Sequence, residues 1–155
     1  MTNTNLQFNI NPNSSKRLFT CKLFDTKNDA FQFIAGRKMV NNMIVGEELD
    51  TVNVLFLQLG EATYTNDGVV HYRGKNSFEE NGQVVVSLSY GDSNPVLKNF
   101  AKPTLIFVKR KDKKGKQFYS FQGLFRTEAI GTDSELEGVT LNRTTFRRLQ
   151  QEVYV

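Results

Sequence analysis

The spacing of apolar positions changes near Gly46. Before it, Phe31, Ile34, Ala35, Met39 and Met43 recur close to a helical period, which predicts a helix from about Asp29 to Asn42. Asp25 to Asn28 supply several N-cap residues for it. Gly36 would fall inside this helix, where glycine costs about 1 kcal/mol against alanine. Upstream, Arg17–Phe24 (RLFTCKLF) reads as a first strand. After Gly46 the runs become short, β-branched and aromatic. Thr51–Leu59, Val69–Tyr72, Gln83–Ser89, Thr104–Lys109 and Gln117–Thr127 read as strands, with Val139–Leu141 as a further short one. The segment Thr65-Asn66-Asp67-Gly68 contains an Asp-Gly turn signal. Thr104–Lys109 and Gln117–Thr127 form a hairpin whose tip is a lysine run, and Thr144–Gln150 reads as the start of a short helix. Short strands separated by turn signals predict a mostly β, α+β domain built on a barrel or a strongly curved sheet.

Composition narrows this picture without altering it. A chain of 155 residues fits one domain, placed at residues 16–155, and can bury a core without disulfide staples. Residues 1–15 are rich in Asn, Thr and Ser and are expected to form a flexible arm. Thirteen Phe and five Tyr without a Trp favour β structure. The single cysteine, Cys21, excludes a disulfide within the chain and a Cys-based zinc site; its apolar neighbours suggest a small buried hydrophobe. A lone thiol agrees with a reducing, cytoplasmic setting. No stretch approaches the roughly 18 apolar residues of a membrane helix, and the N-terminus lacks the features of a signal peptide.

Catalysis lacks its usual parts. The one histidine, His71, sits in the alternating run Val69-Val70-His71-Tyr72-Arg73, as expected of a strand residue on a wet face. The pairs Glu47-Glu48 and Glu79-Glu80 are adjacent in sequence, so their carboxylates diverge on either a strand or a helix. Glu135 and Glu137 lie in a Gly- and Ser-containing stretch that reads as a solvated loop. No phosphate-cradling glycine loop and no dinucleotide fingerprint is present. The chain is therefore expected to be no enzyme by itself and to need no metal or cofactor.

Binding has better candidates. The net charge is +4, and it is concentrated. Lys109, Arg110, Lys111, Lys113, Lys114 and Lys116 crowd the hairpin tip, while Arg143, Arg147 and Arg148 form a second cluster. Lysines so placed can contact phosphates without reading sequence, although a solvated hairpin tip has the same composition. Phe118, Phe121 and Phe125 fit core packing better than base platforms. Tyr64 lies in a polar stretch where nothing local requires an aromatic, so both a loop-packing and a ligand-stacking role are open. Asp67, Thr65 and Asn66 are its polar neighbours, and Arg73 and Lys75 follow.

The order of these segments resembles the SRA, or YDG, domains of modification-dependent restriction enzymes, over roughly residues 45–146. Val45-Gly46-Glu47-Glu48 resembles the family's opening Val-Gly-Asp block. Leu55–Tyr64, Asn66-Asp67-Gly68 and Val69–Gly74 resemble its apolar strand, Gly-Gly-Tyr loop and following strand. Asn94-Pro95-Val96-Leu97, followed by Lys102–Ile106, resembles its Asn-x-x-Leu segment before a Pro-Val strand. Tyr119–Thr127 (YSFQGLFRT) resembles the signature Tyr-x-Tyr-Asp-Gly-Leu-Tyr, with Gln122 at the Asp and Phe125 at the second Tyr. Val139–Arg143 resembles the closing strand.

The resemblance implies a PUA-like curved β-barrel flanked by short helices. It also implies a module that binds duplex DNA and flips a modified cytosine, such as 5-methylcytosine, into an aromatic pocket. Tyr64 would then stack on the base and Asp67 would read its edge, with Thr65 and Asn66 beside them. Arg73, Lys75 and the 109–116 cations would lie along the DNA backbone. The second stacking aromatic of the family would fall near Asp50–Asn53, which contains none; Phe56 fits the core better. A restriction system would supply its nuclease from another domain or subunit. The competing readings are a β-barrel that binds RNA, or reads DNA sequence without flipping, and a protein-interaction module.

Overall fold

The computed structural model describes residues 10–11, 13–41, 45–89, 96, 99–134 and 140–155, with the side chains of Ala62, Tyr64 and Arg73 left outside the description. Most of the predicted arm, Met43, Asn94-Pro95, Leu97, Glu135, Glu137 and Val139 lie outside the described residues.

Among the described residues the chain is mostly β with one α-helix. In order come β1 (Arg17–Phe19), β2 (Leu23–Phe24), α1 (Lys27–Ala35), β3 (Gly46–Glu48), β4 (Asn53–Gln58), β5 (Gly60–Asn66) and β6 (Val69–Glu79). A 3-10 turn over Glu80–Gly82 leads to β7 (Val84–Ser89), β8 (Thr104–Lys111), β9 (Gln117–Asp133), β10 (Leu141–Gln150) and β11 (Glu152–Tyr154). The main sheet runs β3-β4-β8-β9-β10-β7-β6-β5, with β2 attached to β9, while β1 and β11 pair separately.

Strands β4 and β8 form its centre. They are parallel, pairing Asn53 with Thr104 through Gln58 with Lys109. Both are buried on two faces, which is why they read as continuous apolar runs. Val54, Phe56, Leu105 and Phe107 point into a cluster that α1 covers with Ala30, Phe31 and Ile34. Leu55, Leu57 and Ile106 point the other way, into a second cluster with Val85, Phe125 and Phe146. In the first cluster Phe56 stacks on Phe107 at 5.1 Å, and Tyr119 meets Phe56 edge-on at 5.6 Å. Phe56 is thus a core residue, as its strand position suggests.

The sheet curls. β4 is second from one edge and β5 forms the other edge, yet only Leu59 separates them in the chain. The two ends of the sheet must therefore approach each other near residues 58–60. Backbone pairing that would close the curl into a barrel is not found among the described residues.

Several predicted elements are corrected. The segment Arg17–Phe24 is not one strand: a turn at Thr20–Lys22 divides it, with Cys21 at φ 73°. Cys21 is exposed rather than buried, because that turn carries it off the sheet while its amide donates to the Phe121 carbonyl at 2.9 Å. The helix is shorter than its apolar spacing suggests. The Thr26 hydroxyl caps its start by accepting from Asp29 N, and Gly36 at φ 73° ends it as a left-handed C-cap. Gly36 is therefore the stop signal and not an interior defect. The stretch Gly60–Asn66 is a strand rather than a loop, and Thr144–Gln150 belongs to β10 rather than to a helix. The last comes from pairing on both sides: Thr144 faces Ser87 of β7 and Ile130 of β9. At the N-terminal side, the Ile10 amide donates to the Tyr154 carbonyl at 3.0 Å and Ile10 packs on the first cluster.

Candidate nucleic-acid interface

The lysine hairpin is built by its one acid. β8 and β9 pair antiparallel out to Lys111 and Gln117. At the tip, the Asp112 carboxylate accepts the amides of Lys114 at 2.8 Å and Lys116 at 2.9 Å. The Asp112 carbonyl accepts from Gly115 N at 3.0 Å, and Gly115 takes φ 83°, where a side chain would be strained. Asp112 is thus spent on the turn, and the cations around it are left outside. Arg110, Lys111, Lys113 and Lys114 are exposed and make no ion pair among the described residues, and half-buried Lys109 makes none either. Lys116 reaches Asp25 at 3.5 Å, with both groups exposed.

The second basic cluster differs. Arg143 pairs with Asp133 at 3.4 Å, and Arg147 with Glu128 at 3.0 Å and Glu80 at 3.2 Å. Hydrogen bonding to Glu128 raises the Arg147 pKa first, with Coulombic help from both acids. Arg148 lies over the Phe125 ring at 5.5 Å, and desolvation lowers its pKa. Among the described residues the hairpin presents several exposed cations without an acid partner, whereas in the second cluster Arg148 alone lacks one and it packs on Phe125.

The other predicted site lies on the β5–β6 hairpin. Its turn residues Asp67 and Gly68 have φ of 51° and 77°, both left-handed, as a two-residue type I′ turn requires. The Asp-Gly signal is therefore explained by the turn. Thr65, Asn66 and Asp67 are exposed at the tip. Tyr64 is a strand residue paired with His71. Arg73 is the extra residue of a β-bulge, since Ala62 pairs with Gly74 and Thr63 with Tyr72. Among the described residues, pairing of β6 with β7 ends at Gly74 and Ser89. Residues 69–73 pair, among the described residues, only with β5 as a two-stranded ribbon, and Val69 and Val70 are exposed.

The register brings the bases of the two hairpins together. Gln58 pairs with Lys109, which pairs with Tyr119. The Gln58 carbonyl also accepts from Asn76 Nδ2 at 2.8 Å, and Asn76 directly follows Lys75. Lys75, exposed opposite Glu61, and Lys109 thus stand on neighbouring segments.

A cleft of about 340 Å³ opens beside the lysine hairpin, lined by Asp25, Thr26, Lys27, Asn28, Gln117 and Tyr119. Sequence reading passed over it because its walls come from segments some ninety residues apart in the chain. The signature-like stretch has a structural role. Ile106 pairs with Gly123 and Phe107 with Phe121, so Gln122 is the extra residue of a bulge in β9. Its side-chain amide donates to the Ser120 carbonyl and hydroxyl at 3.3 and 3.2 Å. Phe121 and Phe125 are fully buried, in line with core packing. His71 is half-buried in β6, and among the described residues no three His, Cys, Asp or Glu side chains converge to hold a metal. No helix among them is long and apolar enough to cross a membrane.

One helix covering a curled sheet with this strand order defines an SRA-like fold. The chain is similar to the 5-hydroxymethylcytosine-specific restriction enzyme AbaSI, at 18% identity and a TM-score of 0.57, over 89% of this chain and 42% of that one. It is also similar to the DNA recognition domain of the cytosine modification-dependent restriction endonuclease LpnPI, at 13% identity and a TM-score of 0.58, over 91% of this chain and 78% of that domain. A third similar structure is the SUVH5 SRA domain in complex with hemi-methylated CG DNA, at 14% identity and a TM-score of 0.55, over 85% of this chain and 89% of that one. The chain thus spans less than half of AbaSI. No family model matches the sequence, and no curated protein matches it either.

Proposed function

We propose that residues 16–155 form a DNA-reading module that recognises a modified cytosine in duplex DNA and carries no nuclease centre. Cleavage in a restriction system would fall to a domain or subunit elsewhere. The lysine hairpin is the observation that carries this reading. On an SRA-like fold it offers unneutralised cations at the end of a β-hairpin, while Arg17, Arg37, Arg143 and Arg147 are held by acids. Phosphates are the complement of such a cluster. In this reading the curled sheet acts as the barrel of a PUA-like fold. Tyr64 stacks on an extruded base, Asp67 with Thr65 and Asn66 reads polar edges, and Arg73, Lys75 and the 109–116 cations follow the backbone. Extruding a base costs a few kcal/mol, so contacts in the pocket must offset it.

Titration calorimetry with plain, 5-methylcytosine and 5-hydroxymethylcytosine duplexes tests the reading. Tighter binding to one modified duplex is expected. Equal, weak binding to all three, abolished by moderate salt, would leave only general DNA affinity.

The projecting β5–β6 ribbon favours a second reading, since a two-stranded ribbon fits the major groove of B-DNA. The ribbon would then read base edges without extrusion. A 2-aminopurine reporter next to the modified cytosine separates the two: brightening on binding indicates a flipped base, and an unchanged signal with retained specificity indicates groove reading.

A further inference from the structure

Arg147 and Arg148 are neighbours on β10, and the fold treats them differently. Arg147 is held by Glu128 and Glu80. The half-buried Arg148 guanidinium meets no acid and no hydrogen-bond acceptor among the described residues. Its Nε is buried without a partner, whereas its two terminal nitrogens are not buried in this way and open to solvent. The group is nevertheless firmly seated. It lies over the Phe125 ring at 5.5 Å. Gly82 and Gly123 flank it: a Cβ at Gly82 would stand 3.4 Å from Nη2, and one at Gly123 would stand 3.2 Å from Nε. A ring and two stretches of bare backbone therefore hold the guanidinium and leave its end free. Burial lowers its pKa, with the Coulombic effect of Cys21 acting against that. No carboxylate helps, and Glu80 and Glu128 are engaged by Arg147. A cation partly withdrawn from water costs stability unless an anion completes it.

We propose that Arg148 forms a phosphate subsite, its terminal nitrogens taking one phosphodiester group of a bound strand. The planar guanidinium fork matches two phosphate oxygens, and its seat on Phe125 fixes a direction that a surface lysine lacks. Its place suits a strand that also meets the lysine hairpin. Arg148 pairs with Phe125 on β9, and Phe125 lies about 26 Å along that strand from Gln117 at the hairpin tip. The proposal rests on the DNA reading only for the source of the phosphate. The subsite itself is a statement about an arginine that the fold seats without neutralising.

The side-chain Nε–H signal of Arg148 in the ¹⁵N-labelled full chain, identified by its absence in Arg148→Lys, tests this. It is expected to shift with inorganic phosphate, beyond any shift with chloride at matched ionic strength, and to shift with a plain duplex. Arg148→Met, whose apolar side chain can still cover Phe125, should weaken plain and modified duplexes alike by about tenfold. It should also lower the slope of log affinity against log salt by about 0.9. Melting curves separate this from a structural role. In chloride, Arg148→Met should melt no lower than the parent chain, because an uncompensated charge has been removed. Added phosphate should raise the melting temperature of the parent chain more than that of the variant. A marked loss of stability in chloride, with an Nε–H signal silent to phosphate, would assign the guanidinium to the fold and overturn the subsite. A phosphate response without duplex binding would keep the subsite and overturn the DNA reading. Duplex binding that discriminates modified DNA, with unchanged affinity in Arg148→Met, would overturn the subsite and leave the DNA reading intact.

Discussion

The side-chain amide of Asn76 donates to the backbone carbonyl of Gln58 across 2.8 Å, although the two residues lie on strands near opposite edges of the main sheet. This bond is where the curl of the sheet brings its ends together. Asn76 is buried, and its Oδ1 accepts from the Ser87 hydroxyl at 2.6 Å, so one side chain ties β4, β6 and β7. The same residue sets the base of the β5–β6 hairpin beside Lys109. Its geometry therefore links the stability of the curl to the placement of the candidate interface.

Replacing Asn76 with Ala should strand the Ser87 hydroxyl in the core and cost about 2–3 kcal/mol of unfolding free energy, measured by urea denaturation. Combining Asn76→Val with Ser87→Ala removes both partners and should recover part of that loss. If Asn76→Ala is neutral, the bond to Gln58 does not hold the sheet ends together.

A second prediction concerns Gly123. Its φ is 126°, and a Cβ built there would come within 2.7 Å of the Gln150 carbonyl oxygen and 3.2 Å of Arg148 Nε. The contact is with backbone on one side and with a guanidinium packed on Phe125 on the other, so neither yields easily. Gly123→Ala should therefore destabilise the fold by about 2–3 kcal/mol. Thermal unfolding checks it, and an unchanged melting temperature would mean that the bulge at Gln122 relaxes without strain.

These residues also show where sequence reading succeeds and where it stops. The β8–β9 hairpin was legible because apolar alternation runs into a polar, Gly-containing tip, and Asp112 and Gly115 perform the turn chemistry that their types suggest. Strand β5 was not. Its sequence GEATYTN lacks an apolar face, and Glu61, Thr63, Thr65 and Asn66 are exposed. It is a strand because β6 pairs with it, which no local propensity announces. Strand β10 was hidden in another way. RTTFRRLQ ends in the good helix formers Arg, Arg, Leu and Gln, but two flanking strands saturate its backbone. The lysine hairpin could be found as a charge cluster, whereas the contrast between its unpaired Arg110, Lys111, Lys113 and Lys114 and the acid-held Arg143 and Arg147 becomes visible only in the fold. Asp67 shows the reverse case, a residue whose type suits both a ligand role and a turn, and which the fold uses in the turn.

The lysine hairpin predicts a specific pattern of loss. Changing Lys111, Lys113 and Lys114 together to Gln should flatten the slope of log affinity against log salt by roughly three, near 0.9 for each phosphate contact removed. Discrimination between modified and plain duplexes should survive, because phosphate contacts carry no base information. Stability should hold or rise slightly, since these cations have no acid partners among the described residues and repel one another. Fluorescence anisotropy at several salt concentrations, with a melting curve as control, measures all of this. A loss of discrimination without a change of slope would assign the lysines to base reading instead.

Tyr119 predicts how stability responds to alkali. Burial raises its pKa above the ordinary value of 10.0, so the folded chain keeps the phenol proton where the unfolded chain gives it up. Between the two values the native state binds more protons than the unfolded state, and stability must fall as pH rises. The contribution is complete below the ordinary tyrosine value and is lost as pH climbs through the raised folded one. Tyr119→Phe removes this ionisation while keeping the ring against Phe56. Urea midpoints from about pH 9 to about pH 11 should therefore decline less steeply in Tyr119→Phe than in the parent chain, with the two curves parallel at neutral pH. Equal declines in the two proteins would mean that the phenol is as open to water as an ordinary surface tyrosine.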